Sequence, residues 1–286
     1  MHNDHIIFKQ QRELGEILSV TFKFIRENYK TGLRLFFKLV GPSFILLVAA
    51  ITFYTYTTLG SSLFTNGNLD ASNVLISLVL LIIAYLAYFT SMTGTMNHMI
   101  LSYINNDGQI KDEEVKNGLK QDFGKILLLS ILTGIITFAA FMFFVIPGIY
   151  VFVPLSLVTA ILVFRRNGVT DSISESFQLV KDNWWMTFAT LLCIYLVIYV
   201  IGLIFQLPAL IYIFIRAFTV ASESSAAEPQ DMFGTGYVII NAISSAIQYI
   251  IYSMTVIGVA FVYFHLNEKK NFTGTYETIQ NLGNNR

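Results

Sequence analysis

Five long stretches without a charged residue set the plan of this chain: Leu39–Leu69, Ala71–Asn106, Ile126–Phe164, Asn183–Ile215 and Met232–Asn267. Each exceeds the roughly 20 apolar residues that cross the hydrocarbon core of a bilayer. The pattern predicts an all-α, polytopic membrane helix bundle with spans at about 39–59, 74–100, 126–146, 149–164, 184–206 and 237–264. The third stretch supplies two of these six spans. As one straight helix it would rise, at about 1.5 Å per residue, well beyond a core of about 30 Å. Pro147-Gly148 is the natural reversal point, although a hairpin that dips in and returns without crossing fits the same pattern. Pro208 is expected to end or kink the helix that contains it.

Between the apolar stretches the periodicity changes. Residues 12–34 place Leu14, Ile17, Leu18, Phe22, Ile25 and Tyr29 at helical spacing, with Arg12, Lys23, Arg26 and Lys30 filling much of the rest. That pattern predicts an amphipathic helix lying in the membrane interface, or one packed on a neighbouring protein surface. Residues 1–11 read as a mobile polar tail, and 12–286 as a single integral membrane domain.

A second amphipathic segment, Gly168–Asn183, resembles the first beyond its period. Glu16–Tyr29 aligns without gaps to Asp171–Trp184, pairing Ser19 with Ser174, Phe22 with Phe177 and Asn28 with Asn183. A weaker third copy is read at Val115–Lys125. The repeated unit is an interfacial helix followed by a transmembrane hairpin. In it Phe22 and Phe177 are expected to wedge into the interface, while Arg26 and Lys181 meet lipid phosphates or helix C-terminal carbonyls. Asn28 and Asn183 suit a bend between a flat and a vertical helix. Tyr29, Trp184 and Trp185 are expected at headgroup depth, where amphipathic rings are favoured. The same device could simply anchor and orient the hairpins.

Charge then orients the chain. With six crossings, all eighteen Lys and Arg except Arg216 fall on the side of the termini. The acids show no comparable bias, since Asp70, Glu223, Glu228 and Asp231 lie opposite. Bases sorted in this way place both termini in the cytoplasm. The first apolar run begins only at Leu39, after a charged segment, so that span is expected to remain as an anchor. The expected location is the inner membrane of a bacterium, and the zero formal net charge adds nothing further.

The search for chemistry yields little. No Asp, Glu, Lys or Arg lies inside a predicted span, which argues against an ion-coupled path. Asn97 and His98 in the second span, and Gln206, Asn241 and Gln248 later, form a candidate intramembrane polar set; amides at such depth commonly bind helices together. A four-histidine metal site would need His2 and His5 to fold beside His98 and His265, and no metal or other cofactor is expected. Cys193 is the single cysteine, and nothing argues for nucleic acid.

Ile146-Pro147-Gly148-Ile149-Tyr150, then Gly168-Val169 leading to Ser174-Glu175-Ser176-Phe177-Gln178-Leu179-Val180-Lys181 and Trp184-Trp185, resembles a six-span bacterial membrane family. It is the family related to the membrane domain of some glycerophosphoryl diester phosphodiesterases. The resemblance implies the six-span layout, and no phosphodiesterase activity is expected to carry over from it. The leading expectation is a non-enzymatic membrane protein that organises lipid or a membrane partner, or associates with itself, through its cytoplasmic amphipathic helices. The alternative is a transporter or permease for a neutral or lipophilic solute.

Overall fold

The structure, a computed structural model, describes residues 5–60, 71–222 and 235–284. These form ten α-helices and no strand: α1 (Leu14–Leu35), α2 (Gly41–Thr55), α3 (Ala71–Asn105), α4 (Asp112–Phe143), α5 (Val145–Leu155), α6 (Val158–Arg165), α7 (Val169–Val180), α8 (Trp184–Ser222), α9 (Thr235–Asn271) and α10 (Thr273–Asn284). Six helical stretches are long and apolar enough to cross a membrane: Leu14–Thr58, Ser72–Asn105, Asp112–Phe143, Val145–Arg165, Val169–Thr219 and Thr235–Asn271. The chain is a multi-pass membrane protein.

Several boundaries depart from the sequence expectation. No turn separates an interfacial helix from the first span. α1 runs into α2 through a π-helical turn, Phe36–Val40, directly before Gly41-Pro42. Pro42 has no N–H for the carbonyl of Lys38 and its ring crowds that carbonyl, so a wider turn absorbs the defect without breaking the helix. The reversal expected at Pro147-Gly148 lies at Phe144, whose backbone is extended at φ −167° and ψ 159°. Pro147 stands in the first turn of α5, where a missing N–H is tolerated. Of the two outcomes expected at Pro208, an end or a kink, the helix does not end there: α8 continues to Ser222. The C-terminal polar segment contains α10.

By packing, the chain divides into two compact units. The first comprises residues 1–40, 89–196 and 253–286, the second 41–88 and 197–252. In the first, Ile126, Leu129, Leu155, Val158, Leu162 and Val163 form a buried cluster where α4, α5 and α6 meet. In the second, Tyr88 packs on Phe44 and donates its hydroxyl to the carbonyl of Tyr249 at 2.6 Å, tying α2, α3 and α9 together.

The segment read as a free polar tail is packed from residue 6 onward. Ile6 and Phe8 are buried, and Phe8 stacks on Phe261 at 4.4 Å with Phe24 and Tyr103 edge-on. Ile6 donates its N–H to the Tyr103 hydroxyl at 3.0 Å. The apolar run Ile6-Ile7-Phe8 was the visible signal for this docking, and it was outweighed by the polar residues around it.

Candidate functional site

α1 and α7 carry most of the residues expected to meet lipid. In α1, Ile17, Thr21 and Phe24 are buried; in α7 the aligned positions Ser172, Ser176 and Leu179 are buried. The outward positions are also shared. Ser19 and Ser174, Arg26 and Lys181, and Glu27 and Asp182 are all exposed. On α1, Phe22 and Tyr29 are exposed beside Arg26. Lys23, Arg26, Lys30 and Arg34 recur at spacings of three or four, which sets them on one stripe of the helix.

The individual residues then diverge. Phe177 is not turned outward as the exposed Phe22 is; it packs on the core of α4, α5 and α6. The cause is the turn before α7, where Arg166 takes a left-handed conformation (φ 55°) and Gly168 stands at the N-cap, so α7 folds back over that core. Asn28 makes no bend. It sits inside α1, with its amide donated to the Phe24 carbonyl one turn earlier at 3.0 Å. At Asn183 the helix does change, through the 3-10 turn Lys181–Asn183, and its side-chain oxygen accepts from Lys269 at 2.6 Å. Lys270 donates to the Gln178 carbonyl, also at 2.6 Å. Two lysines of α9 therefore join the end of α7.

Trp184 and Trp185 separate sharply. Trp185 is 77% exposed and free to sit in an interface. Trp184 turns inward: its indole N–H donates to the Tyr150 carbonyl at 3.2 Å and its ring stacks on Tyr150. Tyr150 lies four residues before Pro154, which has no N–H to offer that carbonyl. Trp184 thus satisfies an acceptor that the proline leaves open.

The candidate polar set is divided between the two units. In the second, Gln206 donates to Asn241 at 3.2 Å and Gln248 to the Tyr252 hydroxyl at 2.8 Å. In the first, Asn97 donates to the Thr93 carbonyl at 2.8 Å. His98 faces Asp122 across 3.3 Å, both largely shielded from solvent, and its ring lies against Gly118. The two side chains meet between α3 and the start of α4. Among the described residues no three His, Cys, Asp or Glu groups lie together as metal ligands would. His2 lies outside those residues.

A domain of unknown function, DUF7847, matches residues 118–266, more than half of the chain. The chain belongs to this family. No curated protein and no solved structure matches it. The DUF7847 region opens at Gly118 against His98 and ends at Leu266 in α9, so it contains α5, α6, α7 and the Trp184 contact, while α1 precedes it.

Further charged groups brace the ends of this region, and sequence reading did not find them. Arg165 pairs with Glu175 and bonds Asn267, which joins α6, α7 and α9; Asn167 also donates to Glu175. Glu268 is buried and accepts from the backbone N–H groups of Gly274 and Thr275, at 2.6 and 3.0 Å, and from the Thr275 hydroxyl at 2.7 Å. Arg12, read from the sequence as part of the polar face of residues 12–34, is buried instead. Its guanidinium donates to the Phe8 carbonyl at 3.1 Å and lies over the Phe261 ring, and the Arg12 backbone N–H donates to His265 Nδ1 at 3.0 Å. Burial lowers the pKa of that guanidinium and Glu16 raises it; an arginine remains charged in either case.

Proposed function

We propose that this chain is a non-enzymatic integral protein of a bacterial cytoplasmic membrane, with both termini in the cytoplasm. It organises membrane lipid, or a membrane partner, through the outward faces of α1 and α7. The observation that carries this reading is the shared register of the two helices. Their aligned inner positions are buried, and Arg26 and Lys181 point outward at aligned positions. A shared register of this kind supports an internal repeat of an amphipathic helix and the crossing that follows it. Each base close to an anionic leaflet contributes about 1 kcal/mol of attraction. Lys23, Arg26 and Lys30 on α1, and Lys181 with Lys269 and Lys270 beside α7, give two such groups.

The resemblance of Ile146–Trp185 to the membrane domain of the phosphodiesterase-linked family agrees with this reading and carries no activity with it. A passage for a neutral or lipophilic solute would use the intramembrane amides. The bond from Gln206 on α8 to Asn241 on α9 favours a helix-packing role for those two amides instead.

The test is extraction with the surrounding bilayer in polymer discs, followed by comparison of bound with bulk lipid. Anionic lipid should be enriched around the native chain, and R26E/K181E should return the profile to bulk. A bulk-like profile around the native chain would overturn lipid organisation, and a stoichiometric co-purifying protein would point to the membrane partner.

A further inference from the structure

The turn between α4 and α5 is unlike a connection that enters water. From Phe138 to Pro147 no side chain is charged and none can donate a hydrogen bond. Phe138, Met142, Phe143, Phe144, Val145 and Ile146 are each at least 64% exposed. The two other connections on the side opposite the termini are built differently. Residues 60–73 include Ser61, Ser62, Asn66, Asn68 and Asp70, and residues 216–236 include Arg216, Glu223, Glu228 and Asp231.

We propose that the α4–α5 turn ends among the acyl chains of the far leaflet, so that α4, α5 and α6 form a hairpin entered and left from the side of the termini. Three features support acyl chains as its surroundings. The first is reach: past Lys125 the apolar part of α4 is Ile126–Phe143, about 27 Å at ~1.5 Å per residue, against a core of about 30 Å before any tilt.

The second is the backbone. Hydrocarbon cannot satisfy open peptide groups, so a turn placed there must leave few of them. Phe144 donates to the Ala140 carbonyl at 3.4 Å and Gly148 to the Phe144 carbonyl at 3.2 Å. Of the donors a helix start ordinarily leaves open, the one at position 147 does not exist, because that residue is proline.

The third is tightness. A Cβ on Gly148 would stand 2.4 Å from the Phe141 ring, so glycine lets α5 return directly along α4 with no wider, polar loop. Exposing these six large side chains to water instead would forfeit about 25 cal/mol for every Å² of apolar surface. The hairpin holds whether or not α1 and α7 recognise headgroups.

Single cysteines at the turn test this directly. With Cys193 replaced by Ser, F144C and I146C are compared with S62C in intact cells, using a charged maleimide that cannot cross the membrane. S62C is expected to label, and the two turn variants to lose labelling until the membrane is dissolved. Labelling of F144C or I146C in intact membranes, as for S62C, would overturn the hairpin. A nitroxide on F144C then separates lipid from protein cover. Strong contact with oxygen and none with a water-soluble nickel chelate is the result expected. Weak contact with both would mean that another protein surface covers the turn, and would overturn acyl chains as its surroundings.

Discussion

Proline and tryptophan answer one another at the residue scale. Pro154 leaves the Tyr150 carbonyl without its helical donor, and Trp184 supplies an indole N–H from 34 positions along the chain. Removing that donor while the carbonyl stays open should cost about 1–3 kcal/mol. W184F is therefore expected to lower the unfolding temperature in lipid discs, and P154A, which restores a helical N–H, should shrink the effect of W184F. Strictly additive costs in the double variant would show that the bond carries no weight. Gly118 meets a similar constraint: a Cβ there would lie 2.3 Å from His98 Nδ1. G118A should displace the imidazole from Asp122 and destabilise by about 1–3 kcal/mol, read in the same thermal assay. That Trp184 opens a long apolar helix was legible from its place before an apolar run. Its role was not, because the acceptor is created by a proline on another helix.

Helix boundaries, at the element scale, follow local chemistry that the apolar pattern conceals. Asn28 looked like a bend because Asn favours turns, yet its amide bonds back to Phe24 and leaves the helix intact. The irregular turn comes later, at Phe36–Val40, where Pro42 interrupts the hydrogen-bond ladder. α10 owes its start to Glu268, whose carboxylate receives N–H groups that a helix of that length would otherwise leave to solvent. E268A should weaken that start by about 1–3 kcal/mol, seen as faster amide hydrogen exchange across residues 273–284 with α7 unchanged. Unaltered exchange would mean that packing alone holds α10, for instance through the Lys9–Glu277 pair. The buried positions of α1 and α7 recur at helical spacing, Ile17, Thr21 and Phe24 on one and Ser172, Ser176 and Leu179 on the other. Which aromatic faces outward was not visible. Phe22 and Phe177 align in sequence and part company because the left-handed turn at Arg166 lays α7 on its own core.

Charge asymmetry is a property of the whole molecule and makes a whole-molecule prediction. A periplasm-dependent phosphatase reporter inserted between residues 223 and 234 should be active, and one fused after Arg286 inactive. The reverse result would overturn the orientation proposed from the bases. The sequence by itself determined that this is an all-helical, multi-pass membrane chain and where its bases lie. Hydrocarbon penalises a charge or an open peptide group at any position, whatever its neighbours, so those properties can be read residue by residue. Only the tertiary structure decided that Phe8, Phe24, Tyr103 and Phe261 gather into one aromatic cluster, that Arg12 is buried in protein and that Trp184 serves Tyr150. Those outcomes depend on partners far apart along the chain, and an aromatic or basic side chain is equally suited to an interface and to such a partner until the fold brings one of them within reach.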